Sequence, residues 1–189
     1  GMDAVQIAPV AERAGIAAGT VYRYFPSKTA LVEALVEAVA QNEIAAMRAA
    51  ADGAPGPLSG LAAAIVTFAA RARRQRRLIW ALTAEPVDAE VDRARLAFRK
   101  ALAGEIEYRL KGDHGGEVAP RFAAPAVLGA LLEGLIGPLA PDQGSAKDRE
   151  VVQMLALLTL RGLGIADARA RGLVVQAPWP AVDPDPAGP

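Results

Sequence analysis

An all-α chain is predicted, a helix-turn-helix head followed by a helical body, and three observations predict it. Alanine and leucine dominate while runs of β-branched residues stay short, a balance that favours helix over strand. Apolar residues recur at helical spacing through most of the chain. Clusters of Gly and Pro interrupt that spacing, most sharply at residues 52–57, Asp-Gly-Ala-Pro-Gly-Pro. With 189 residues, 52% hydrophobic and 22% charged, the chain has the makeup of a folded protein.

The elements follow in order. Gln6 to Ala14 reads as a short helix, with Pro9 in the first turn, where a missing N–H loses no bond. Val10, Ala11 and Ala14 share one face of it. Gly15 comes next, the residue type that enters a left-handed helix C-cap without steric cost. Ile16 is expected as a buried hinge, and Ala18 to Phe25 as a second helix turning Val21 and Phe25 inward. Thr20, Tyr22, Arg23 and Tyr24 around them all carry hydrogen-bonding groups. Pro26 ends this helix and Ser27 caps the next. Two short helices about a tight Gly turn, the second with a polar outer face, describe a helix-turn-helix.

The block AGIAAGTVYRYFPSKTAL carries a resemblance on top of this reading. The ordered set Gly15, Gly19-Thr20, Tyr22, Tyr24-Phe25 and Ser27-Lys28, followed at once by an amphipathic helix, is similar to the DNA-binding signature of TetR-family transcriptional regulators. The resemblance covers about the first fifth of the chain; the remainder agrees with the family in architecture alone. It implies a homodimer on double-stranded operator DNA, and a small-molecule effector that enters a cavity in the helical body and changes the spacing of two heads. TetR-like heads also carry a further helix and a basic arm ahead of the helix-turn-helix. Aligned on Gly15, this sequence begins in the loop after that helix, so the head is expected to lack it.

On that reading residues 1–50 form the head with its connecting helix, 51–172 a ligand-binding and dimerisation body, and 173–189 a proline-rich, extended tail. Thr29 to about Ala51 is the connecting helix. Leu58 to Gln75 runs through Leu61, Ile65 and Phe68 and becomes basic at Arg71, Arg73, Arg74, Arg76 and Arg77, a stretch expected to be a solvated face. Leu78 to Ala84 is short and contains Trp80; Asp88 to about Lys111 is long and turns Leu96, Phe98, Leu102 and Ile106 inward. Ala123 to Leu139 and Asp148 to Gly164 are apolar nearly all round, and a helix of that kind must be covered on most sides. They are the expected dimer helices, with Leu157 as a candidate interface side chain. Core packing within one chain is the alternative.

The chemistry on offer is recognition. Without cysteine, and with the single histidine His114 in a glycine loop, the chain has no thiolate site and no histidine pair, and no metal or cofactor is expected. No phosphate loop or nucleophile elbow is present, and the carboxylate pairs Glu85/Asp88 and Asp88/Asp92 read as solvated charge, so no catalytic residue is assigned. No charge-free apolar run reaches the roughly 18 residues of a spanning helix, and a signal-peptide pattern is missing, so a cytoplasmic protein without membrane contact is expected.

Net charge is zero, but between Arg13 and Lys28 there are three positive charges and no acid. In the helix-turn-helix the second helix enters the major groove. Ala18 offers apolar contact, Gly19 close backbone approach, and Thr20 its hydroxyl and methyl. Tyr22 and Tyr24 offer phenols to phosphate, Arg23 a bidentate contact to guanine, and Lys28 a phosphate contact at a helix start. Phe68, Trp80 and Phe98, on successive body helices, are the candidates for the effector cavity that the resemblance implies. A helical ligand- or protein-binding module that no longer binds DNA is the alternative function.

Overall fold

A computed structural model describes residues 5–84, 89–111, 118–141 and 148–181. Nine helices and no strand occur among them: α1 (Ile7–Arg13), α2 (Ala18–Tyr24), α3 (Lys28–Asp52), α4 (Pro57–Arg74), α5 (Arg76–Thr83), α6 (Ala89–Leu110), α7 (Pro120–Leu135), α8 (Asp148–Gly162) and α9 (Asp167–Gln176). His114, Glu85 and Asp88 lie outside the described residues.

The punctuation of the sequence sets most helix ends. Pro57 and Pro120 open α4 and α7 at the position where a missing N–H is harmless. Gly15 and Gly164 close α1 and α8 with φ of 67° and 85°. Two ends move. α7 stops at Leu135 rather than Leu139, because Gly137-Pro138 breaks the pattern first. α9 runs through Gly172 to Gln176, four residues into the stretch expected as extended tail, and buries Val174 before Pro178 stops it.

α4 is the axis of the body. It is buried along almost its whole length and packs against α3, α6, α7, α8 and α9. Alanines at 62–64, 69, 70 and 72 make that possible, since small side chains let several helices approach one at once. α4 runs antiparallel to α3: Gly60 lies against the Ala51 carbonyl at one end, and Arg71 holds Glu43 at the other. α6 runs parallel to α3, tied by Arg48–Glu105 and Asp52–Arg109 ion pairs at 2.8 Å.

Two arginines depart from the expected solvated basic face. Arg71 is buried and donates from Nε and Nη2 to both oxygens of buried Glu43, at 2.9 Å each. Arg73, 0% exposed, gives its Nε to Asp148 at 2.8 Å. The basic run is half interior because α4 is covered on all sides at Arg71 and Arg73.

A second, smaller apolar cluster joins Ile7, Ala11 and Val21, with Ala18, Phe25 and Leu31 packed against it. Val32 and Val36, one residue further round α3, already belong to the large body cluster. α3 therefore serves both. The inward row of α1 is Ile7–Ala11. Val10 and Ala14 are exposed, and so is Ile16, at 46%. Both rows have i, i+4 spacing, and contact with Val21 selects the first.

Candidate nucleic-acid interface

The head is built around one turn. Gly15 donates its N–H to Glu12 and Ile16 donates to Ala11, each at 3.0 Å, the paired bonds that close a helix through a left-handed residue. The chain then turns sharply, and α2 starts at Ala18 from an extended Ala17. At the far end Ser27 Oγ accepts the Ala30 N–H at 3.1 Å and fixes the start of α3.

Val21 is the inward anchor of α2. At 100° per residue, Gly19 and Arg23 form the i, i+4 row on the opposite side, with Thr20 beside them and Tyr22 and Tyr24 on the two flanks. Tyr22, Arg23 and Tyr24 are exposed, Tyr24 at 68%, and Thr20 is half-buried. The Arg23 guanidinium carbon lies 5.3 Å from the Tyr24 ring centroid. Ala18 sits half-buried against the head core, and Lys28 is in the first turn of α3, partly buried. Gly19 is exposed and helical, and a Cβ there would meet nothing within 4 Å. Among the described residues nothing requires glycine at that position. The arrangement can present an arginine and a bare patch of backbone to a groove, with a phenol on either side.

The first 35 residues match a sequence model of the family described as "Bacterial regulatory proteins, tetR family". A 42-residue stretch is 57% identical to the HTH-type transcriptional repressor KstR of Rhodococcus jostii (strain RHA1), covering 22% of this chain and 18% of that protein's length. The head thus carries the TetR-family DNA-binding sequence, in a chain matched over less than a fifth of that relative's length. The whole fold agrees with solved TetR-type structures. A transcriptional regulator of the TetR/AcrR family from Thermobifida fusca YX-ER1 matches with TM-score 0.63 and 20% identity, over 86% of this chain and 88% of that one. RolR in complex with resorcinol matches with TM-score 0.60 and 23% identity, over 96% and 87% of the two chains.

The body does not gather the three aromatic candidates. Phe68 is sealed in the α4 core. Phe98 lines an open cleft of about 920 Å³ between α3 and α6, with Ile44, Ala40, Ala97 and Glu37. Trp80 lines a different cleft of about 960 Å³ at the junction of α4 and α5. The α3–α6 cleft escaped the sequence reading because five of its wall residues are alanines, Ala40, Ala45, Ala94, Ala97 and Ala101. A pattern of small residues on two helices signals space only once their pairing is known.

α7 and α8 each bury one side, through Val127, Leu131 and Leu135 and through Val152, Ala156 and Leu160. Their other side is open, with Phe122 at 63% exposure, Leu158 at 61% and Met154 beside them. Leu157 is half-buried toward α9. No described helix is long and apolar enough to cross a membrane.

Proposed function

We propose that the chain is a homodimeric transcriptional repressor that reads double-stranded operator DNA with α2 and releases it when a small molecule binds the body. In this reading residues 1–50 are the reading head and the helices from α4 to the end of α9 at Gln176 the effector and dimerisation body, with the proline-rich tail after them. The observation that carries it is the outer face of α2: Gly19 and Arg23 opposite Val21, with Tyr22 and Tyr24 flanking and no acid between Arg13 and Lys28. Arg23 would contact guanine and Thr20 a base edge or phosphate, while Tyr22, Tyr24 and Lys28 would hold phosphates. The exposed apolar side of α7 and α8 supports the dimer, since an apolar face of that kind marks a partner surface.

For the effector, the α3–α6 cleft lined by Phe98 is the favoured place, because α3 also carries the head. That RolR, a relative in fold, is solved with resorcinol supports a small organic effector. Release of DNA then follows if the ligand shifts α3 on α6. Mobility shift on duplexes enriched from a random pool tests the reading. Arg23→Ala is expected to lose discrimination at one base pair by about tenfold or more, and Lys28→Ala to weaken all sequences alike. Equal binding of enriched and random duplexes would overturn it. A second reading, a helical module without DNA recognition, draws on the exposure of Val10, Ile16 and Leu35 around the small head core; it expects no shift with either duplex.

A further inference from the structure

The run from Arg73 to Arg77 is left over from the functions above. Arg73, Arg74, Arg76 and Arg77 stand within five residues where α4 passes into α5. Among the described residues one carboxylate pairs with any of them, Asp148 on Arg73. Among the described residues Nη1 and Nη2 of that same buried Arg73 have no hydrogen-bond partner. Arg74 is held by neutral groups, the carbonyls of Pro180 and Ala181 at 3.2 Å each, and Arg76 by the Gly137 carbonyl at 3.0 Å. Arg77 is exposed. Carbonyls fix a guanidinium in place without cancelling its charge, so among the described residues the corner keeps an excess of about three positive charges.

This excess is not spread over an open face. Arg74, Arg76 and Arg77 line the cleft of about 960 Å³, whose other walls include half-buried Trp80 and Leu78 and buried Ile136. Among the described residues no acidic side chain lines it. A cleft that combines guanidiniums with an indole and aliphatic wall suits a planar organic anion, whose carboxylate takes the arginine fork while its ring lies on the apolar side. A DNA phosphate would use the arginines but gain little from Trp80 and Ile136. Because α4 is antiparallel to α3, the corner lies toward the end of α3 that carries the head, and it shares no lining residue with the α3–α6 cleft.

We infer that the α4–α5 corner is a binding site for an aromatic carboxylate, separate from the α3–α6 cleft. The inference does not depend on the repressor reading, because the site can be titrated without DNA. The probe is 1-naphthoate, with the neutral 1-naphthalenemethanol as its control, measured by calorimetry and by Trp80 emission in a Trp179→Phe background. Naphthoate is expected to bind saturably, one per chain, and to quench Trp80, with the alcohol weaker by about tenfold or more. Arg77→Gln and Arg76→Gln should each weaken naphthoate by about tenfold; the exposed position of Arg77 makes its variant the one safe for folding. Absent saturation at millimolar naphthoate, equal binding of the alcohol, or an unchanged affinity in Arg77→Gln would each overturn the proposal. So would a flatter salt dependence of DNA binding in Arg77→Gln without naphthoate binding, which would make the corner a phosphate contact.

Discussion

Two glycines in the head separate what the fold needs from what a partner needs. Gly15 has φ of 67° and open space around it, so Gly15→Ala costs backbone strain alone, about 1–2 kcal/mol by chemical denaturation. Gly19 is helical with equally open space, so Gly19→Ala should stabilise the fold by about 0.5–1 kcal/mol. The same change should weaken operator binding, because its methyl group occupies the room left beside Arg23. A variant that gains both stability and affinity would remove Gly19 from the interface. The buried pair Glu43–Arg71 makes the opposite kind of test. Arg71→Met strands a carboxylate in the core and should cost about 3–5 kcal/mol, while Glu43→Leu with Arg71→Met should recover most of that loss. A single variant as stable as the parent in urea would contradict this. That pair was illegible in the sequence: Arg71 looked like one of five solvated arginines, and its partner stands 28 positions upstream on another helix.

The helices themselves were legible wherever proline and glycine punctuate them. Ser27, Pro57, Gly15 and Gly164 mark real ends, and the head signature from Gly15 to Lys28 lies within the 35 residues that match the TetR-family model. The order of rows within a helix was less visible. Val10–Ala14 and Ile7–Ala11 have the same spacing, and contact with α2 alone selects the second. The cleft walls were hidden for a similar reason, since alanines at 40, 94, 97 and 101 mark space only when α3 and α6 are known to pair. α9 was missed because Gly172 and the prolines after it resemble a tail, whereas Ala170 and Val174 pack it onto the body. Its first turn carries Asp167, held below its ordinary value first by the hydrogen bond from Arg171, against slight desolvation, and then by the charges of Arg171 and Arg161. A depressed carboxylate stabilises the fold above its unfolded pKa, and the benefit fades as pH falls through the folded one. Asp167→Asn should therefore lower the melting temperature at pH 7, with the difference shrinking toward pH 3 and below. A gap that widens in acid would refute that assignment.

At the scale of the molecule, one chain covers the inner sides of α7 and α8 and leaves Phe122, Met154 and Leu158 outside. A two-fold partner placing its own α7 and α8 there would bury them and set two heads facing two half-sites. Leu158→Glu puts a charge on that face without touching the core and should yield a monomer by light scattering, where the parent gives twice the chain mass. An unmodified chain that stays monomeric at micromolar concentration would exclude the dimer. In the proposed function the head reads DNA, and that reading is its central claim. The most direct test is selection of duplexes from a random-sequence pool by the whole chain, followed by affinities on the winner for the parent and Arg23→Ala. Enrichment of a two-fold symmetric site, with half-sites about one helical turn apart and a preference relaxed by Arg23→Ala, is the expected result. A pool that shows no enrichment, or a winner bound equally well by Arg23→Ala and by the parent, would contradict it.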